Sequence, residues 1–158
     1  MVLLALATVC AGTFFGAAIY INFVEHPARM PCGRELAVRE FGPSYARAAV
    51  MQATLAILGC LIGLIAAWSL HDLTTAISAA LLGLVVPFTL IVIFPTNKQL
   101  LAPSLDATSE MAGALLTRWN RLHAVRSVLS GAALLFSSIV LSRLALSNKR
   151  LKLAARVD

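Results

Sequence analysis

Charged residues are scarce in this chain. Only 13% of its 158 residues are Asp, Glu, Lys or Arg, whereas 59% are hydrophobic. A soluble domain of this length is usually about one quarter charged. Because so few charges cannot form the surface of a soluble domain, the composition excludes that class. It predicts a single integral membrane domain.

Cysteine is also rare, and its placement excludes two further classes. The three residues Cys10, Cys32 and Cys60 form no CxxC pair. The sequence therefore indicates neither a disulfide framework nor a cysteine zinc site. Motifs for binding nucleic acid are missing as well, although the net charge is +6. Five cations lie at the end of the chain, the first of them, Arg143, near the end of the last apolar run. A basic tail in that place suits an anionic lipid surface. The predicted partner is the bilayer and not a nucleic acid.

Long apolar runs make up most of the sequence and predict transmembrane helices at about 2–24, 48–70, 73–94 and 125–146. The first run, Met1 to Val24, carries no charge. As a helix it is roughly 36 Å long, enough to cross a ~30 Å hydrocarbon core. It lacks the positive start of a signal peptide, so we expect it to be retained. Residues 1–146 are predicted to form one domain, and 147–158 a disordered basic tail.

Prolines and caps predict where these helices end. Pro27 is expected to end the first helix and Pro95 the third, while Pro87 kinks the third from inside. Gly42-Pro43 is expected to stop a short interfacial helix that starts at Arg34. Asp72 or Thr74 is expected to cap the third helix.

Four consecutive spans predict an all-α, up-down-up-down four-helix bundle. This topology brings the end of the first span, the start of the second, the end of the third and the start of the fourth to one face. All four ends carry specific polar or aromatic residues. We therefore predict a polar site at one mouth of the bundle, formed by Asn22, Glu25, His26, Gln52, Asn97, Lys98, Trp119, His123 and Arg126.

Three interpretations of this set remain open. His26, His123 and Glu25 are a possible ligand set for one transition metal such as iron, copper or zinc. Alternatively, no cofactor is needed: His123 acts as a base, and Arg126 or Lys98 holds the resulting anion. In the third interpretation these are interfacial residues that bond to loop backbone and lipid headgroups.

Two sequence elements together resemble the anthrone oxygenase-like family of small membrane proteins. They are Phe94-Pro95-Thr96-Asn97-Lys98-Gln99-Leu100 after the third run and Trp119-Asn120-Arg121-Leu122-His123-Ala124-Val125-Arg126 before the fourth. The segment from Tyr20 to Pro27 fits as well. The resemblance extends over roughly Leu3 to Leu144 and leaves out the basic tail after Asn148.

The resemblance implies a four-helix membrane fold and suggests an activity. Fungal members of the family use oxygen to convert an anthrone to an anthraquinone. The resemblance implies that the functional residues would include Asn97, Trp119, His123 and Arg126, which match the family pattern. In this hypothesis Asn97 positions the substrate and Arg126 stabilises an anion. We expect Trp119, Lys98, Asn22 and Gln52 to contact a lipophilic phenolic or quinone-like substrate.

A different class of function is the alternative. Small residues at Gly12, Gly16, Gly59 and Gly63 suit close helix packing, as expected of a non-enzymatic subunit, assembly factor or lipid-interacting bundle. A homo-oligomer is also possible. Eight Lys and Arg residues on the site side, against five on the other, favour a cytoplasmic site. In a bacterium the protein is expected in the inner (plasma) membrane.

Overall fold

The computed structural model describes residues 1–155, and within them the chain is entirely helical apart from short connections. Four helical stretches are long and apolar enough to cross a membrane, namely Val2–Cys32, Arg34–Leu70, Leu73–Leu100 and Glu110–Arg150. The predicted four-helix membrane bundle is confirmed. The α-helices are α1 (Val2–Tyr20), α2 (His26–Arg29), α3 (Arg34–Leu70), α4 (Leu73–Phe88), α5 (Phe94–Leu100) and α6 (Glu110–Ala154).

The helices pack as a square in which sequence neighbours are also spatial neighbours. Helix α1 packs on α3 and α6, and α4 packs on the same two helices, while the diagonal pairs barely touch. Three layers of buried apolar side chains fill the square. The layer at the loop end is built around Trp119, Phe41 and Ile93; the middle layer contains Phe14 and Leu82. Short connections require this arrangement, since each helix must turn back beside the previous one.

Two prolines do not end their helices, which corrects the prediction for Pro27 and Pro95. A π-helical turn at Ile21–Glu25 precedes Pro27, and a second one at Thr89–Ile93 precedes Pro95. Proline lacks an N–H and its ring crowds the carbonyl four residues earlier. The wider π turn relieves that crowding, so the helix continues. The first span therefore reaches Cys32 and the third reaches Leu100.

The other two spans are also longer than predicted. Helix α3 contains Pro43 in its interior and starts at Arg34, so the predicted stop at Gly42-Pro43 is wrong. The two predicted segments, interfacial and membrane-spanning, are one helix. Helix α6 begins at Glu110 and continues to Ala154. The basic tail predicted to be disordered from residue 147 is therefore helical as far as Ala154, and residues 156–158 lie outside the described part.

The connection between α3 and α4 is as tight as the sequence predicts. Asp72 caps α4, because its Oδ2 accepts hydrogen bonds from the backbone N–H and the hydroxyl of Thr75, both at 2.7 Å. His71 ends α3 in the left-handed region, with φ of 50°. The predicted capping role of Asp72 is confirmed.

Candidate functional site

A cavity of about 150 Å³ lies near the loop end of the bundle. Its wall is mostly apolar, with Phe14, Ala56 and Val85 at the inner part. Several polar side chains interrupt this wall at one end. Those that the sequence predicts to form a site are Glu25, Gln52, Trp119, His123 and Arg126. The fold therefore brings five of the nine predicted residues to one cavity, from the first, second and fourth spans.

Asn22 fixes the imidazole of His123 from behind this wall. The Nδ2 of Asn22 donates to Asn120 on α6, to the carbonyl at 3.0 Å and to the side-chain Oδ1 at 2.7 Å. Its Oδ1 accepts from the hydroxyl of Ser127 at 2.6 Å and lies 3.1 Å from Nδ1 of His123. Because Oδ1 only accepts, Nδ1 carries the proton. The lone pair is then on Nε2, which makes no hydrogen bond within residues 1–155.

The π turn is what places Asn22 there. It inserts extra backbone at Ile21–Glu25 and so changes the direction in which the following side chains point. The partners on α6, Asn120, His123 and Ser127, follow at i, i+3 and i+7, which is one helix face. The sequence prediction included Asn22 and His123. It missed Asn120 and Ser127, although their spacing from His123 is a signal that could have found them.

Arg126 is the second polar group of the cavity wall. It is only 8% exposed, and one terminal nitrogen donates to Oε1 of Gln52 on α3. Its guanidinium lies 5.3 Å from the centre of the Phe14 ring, close enough for a cation–π contact. No carboxylate pairs with it in the described part of the chain. Nε of Arg126 and Nε2 of Gln52 are buried donors without a partner there.

A separate ion-pair group borders the cavity and was not predicted. Arg29 pairs with Glu25 four residues earlier and with Glu40 on α3 at 3.0 Å. The hydroxyl of Ser44 donates to the Glu25 carboxylate at 2.8 Å. Glu25 is therefore neutralised by its own helix. The i, i+4 spacing of Glu25 and Arg29 is a signal that sequence reasoning could have used.

The structure does not form the predicted metal site. Among the described residues, no group of three His, Cys, Asp or Glu side chains is placed to hold a metal ion. Trp119 explains part of this result, because its ring packs on His123 with centroids 4.8 Å apart and faces His26 at 6.2 Å. Glu25 is meanwhile bound to Arg29. His26 is buried but does not line the cavity.

Asn97 and Lys98 also lie away from the cavity, so the fold does not bring them together with the other predicted site residues. Lys98 is exposed, and its ammonium group lies 5.9 Å from the centre of the Phe94 ring. Asn97 is 1% exposed, and neither of its side-chain polar atoms has a partner in the described residues. The continuation of the third span through Pro95 is the reason, because it carries both residues past the cavity.

Comparison with known families gives one match. The sequence pattern described as anthrone oxygenase matches residues 41–136, which is more than half of the chain. The chain belongs to the anthrone oxygenase family. No curated protein and no solved structure matches it. Within the anthrone oxygenase match lie Gln52, Trp119, His123 and Arg126, four of the cavity residues. Asn22 and Glu25 precede the matched residues. The family pattern therefore includes the cavity residues on α3 to α6, but not the residues of the first span that border or support the cavity.

Proposed function

We propose that this membrane protein is an oxygen-using oxidoreductase that acts on a lipophilic phenolic or quinone-like compound. One observation carries the proposal. Within residues 1–155, a buried imidazole with a free Nε2 and a buried arginine without a carboxylate partner line the same apolar cavity. A base beside an unpaired cation is suited to removing a proton from a weak acid and stabilising the anion.

His123 would act as the base. An acidic C–H next to an aromatic carbonyl, or a phenol, would give its proton to Nε2 of His123. Asn22 holds the opposite nitrogen, so the ring cannot turn its N–H toward the cavity. The imidazolium formed in this step is stabilised by the same hydrogen bond to Asn22, since a cationic donor strengthens it.

Arg126 would stabilise the anion. Removal of one proton leaves negative charge on the substrate oxygen, and Nε of the buried guanidinium donates to none of the residues that the structure describes. Gln52 holds one end of the guanidinium and so orients it. In an apolar cavity such a charge contact is stronger than in water.

The anion then has electrons to give to oxygen. Attack of the carbanion carbon on O₂ forms a C–O bond and a hydroperoxide, which loses water to leave a carbonyl group. The reacting carbon is a CH₂ group in an anthrone or in the keto tautomer of a phenol. Its conversion to a carbonyl group is a four-electron oxidation, in which one oxygen atom of O₂ enters the product and the other leaves as water. No external reductant is needed, because the substrate supplies every electron. His123 can return the proton that the leaving hydroxide requires.

Oxygen uptake by the detergent-purified protein tests the proposal. Anthrone-like and single-ring phenols are supplied, and the His123→Gln variant is compared with wild type. We expect a loss of about 100-fold or more in kcat, since general-base catalysis contributes 10²–10⁴-fold. His71→Asn removes an imidazole from the opposite end of the bundle and is the matched control, expected to keep full activity. Equal uptake by His123→Gln and wild type would contradict the assignment of the base.

The alternative of a non-enzymatic packing protein keeps only part of its support, because two of its four glycines pack tightly within the bundle. Gly59 and Gly63 are already used inside the chain. A Cβ at Gly59 would lie 2.9 Å from the Cβ of Cys10 on α1, and one at Gly63 would lie 2.8 Å from that of Ala79 on α4. Gly59 and Gly63 therefore serve the bundle's own helix contacts, whereas Gly16 is exposed, has no described residue near it and still suits contact with a partner helix.

A further inference from the structure

The volume of the cavity limits what can enter it. At about 150 Å³ it equals the engineered protein cavity of roughly 150 Å³ that binds benzene. Such a space accommodates one six-membered ring. Three fused rings, as in an anthrone, do not fit within it. The remainder of any larger ligand must therefore lie outside the enclosed part of the cavity.

The cavity wall also fixes how such a ring would lie. His123, Arg126 and Gln52 stand on its polar side, whereas Phe14, Ala56 and Val85 supply apolar contact. Nε of Arg126 and Nε2 of Gln52, which have no partner in the described part of the chain, are both N–H donors, and buried donors are normally satisfied. A ligand with an anionic oxygen can supply the missing acceptor after a small rotation of these side chains.

The cavity has a side opening, which we define by Ala53 on α3 and Leu90 in the π turn after α4. Both residues line the cavity and yet are exposed, Leu90 by 61%. Ala49 and Val86 flank them and are half-buried. Alanine at positions 49 and 53 leaves a gap that a larger side chain would fill.

The position of this side opening along the helices indicates that it faces lipid. Ala53 and Leu90 lie inside helical stretches that are long and apolar enough to cross the membrane. An opening in such a position leads into the hydrocarbon region and not into water. An apolar substituent on the ring would pass through it and remain among the acyl chains.

We propose that the ligand of this cavity is a single-ring phenol or enol that bears an apolar chain and enters sideways from the bilayer. Its ionised oxygen lies against Arg126, and its chain leaves between Ala53 and Leu90. The inference that this ligand is also the substrate rests on the proposed function. The proposed binding mode of the ligand does not depend on the proposed function, and different measurements test the binding mode and the activity.

Binding is measured with a 4-nitrophenol that carries an octyl chain, because the phenolate absorbs visible light and reports its own ionisation. We expect the purified protein to bind the phenolate. The methyl ether of the same compound, which cannot ionise, should bind about tenfold or more weakly, as should a three-ring phenol. Equal affinity for the three-ring phenol or the ether would overturn the proposal.

Variants at the side opening locate the route. Ala53→Phe fills the gap and should weaken binding of the octyl nitrophenol about tenfold. Thr54→Phe is the control, since Thr54 is the next residue of α3, is exposed and does not line the cavity. Leu90→Trp fills the opening from the α4 side and should weaken binding in the same way, with Ile91→Trp as its control. Unchanged binding in both Ala53→Phe and Leu90→Trp would exclude this opening.

Oxygen uptake on the same samples separates the two proposals. If the nitrophenol binds as described but neither single-ring nor three-ring phenols consume oxygen, the proposed function fails and the binding mode stands. If a three-ring phenol is oxidised at equal rates by wild type and Ala53→Phe, the proposed function stands and the single-ring inference is wrong.

Discussion

Asn22 acts on the candidate site without lining its cavity. Its amide joins the π turn of the first span to three residues of α6, among them His123. The side chain decides which imidazole nitrogen carries the proton. In the proposed function it is therefore a positioning residue, and we expect the consequences of its loss to differ from those of losing His123, the proposed base.

Asn22→Ala is predicted to lower kcat about 10- to 100-fold and to leave KM nearly unchanged, because a freely turning imidazole is misplaced and the cavity wall is intact. Oxygen-uptake kinetics give both constants. Ser127→Ala removes another partner of the same Asn22 oxygen and is the control, expected to retain most activity. A rise in KM at constant kcat would show that Asn22 contacts the substrate instead.

Close helix contact limits which residues α3 can carry on its inner face. Gly63 lies against Ala79, with 2.8 Å between a Cβ at this position and the Cβ of Ala79. Gly16 on α1 has nothing within 4 Å of the corresponding position. The two glycines look alike in the sequence, and only the packing distinguishes them.

Gly63→Ala is predicted to destabilise the bundle by about 1–3 kcal/mol, because the added methyl group pushes α3 away from α4. Gly16→Ala is the matched control and should leave the thermal unfolding temperature in detergent unchanged or slightly raised. Equal unfolding temperatures for the two variants would mean that α3 and α4 are less closely packed than the structure shows.

Helix α3 ends with a residue in a conformation that does not suit it. His71 has φ of 50°, a region that costs a residue with a Cβ about 1 kcal/mol or more and costs glycine almost nothing. His71→Gly is therefore predicted to raise the unfolding temperature. Asp72→Ala, which removes the adjacent cap of α4, should lower stability by about 0.5–2 kcal/mol. A lower unfolding temperature for His71→Gly would contradict this prediction.

Most of the cationic side chains of the molecule lie at one end of the bundle, the end that also holds the cavity. The helix ends on this side carry eight Lys and Arg residues, which favours a cytoplasmic position. Cys32 is exposed at the same end. It therefore reports the orientation of the whole bundle.

A membrane-impermeant maleimide is predicted to label Cys32 only after cells that express the protein are opened. The variant used has Cys10 and Cys60 replaced by alanine. In the control, Cys32→Ser and His71→Cys move the single thiol to the opposite end, where labelling should occur in intact cells. The reverse pattern would place the cavity end outside the cytoplasm.

The sequence predicted the membrane class, the number of helices and the end of the bundle that holds the polar residues. These follow from the length of the apolar runs and from the antiparallel turns between them, both of which are local properties. It also predicted the cap at Asp72. The resemblance of the Asn97 and Trp119 segments to a known family was confirmed by the match over residues 41–136.

The tertiary structure decided which of the nine predicted residues share a cavity. Two π turns, at Ile21–Glu25 and Thr89–Ile93, carry the helices through Pro27 and Pro95. They place Asn22 behind His123 and carry Asn97 and Lys98 away from the cavity. A π turn rotates every later side chain, and its cause is the balance between a proline's clash and the packing of neighbouring helices. That balance depends on residues that are distant in the sequence. The pattern of apolar residues was therefore enough to predict the bundle, whereas the set of residues that share the cavity could be found only from the packed structure.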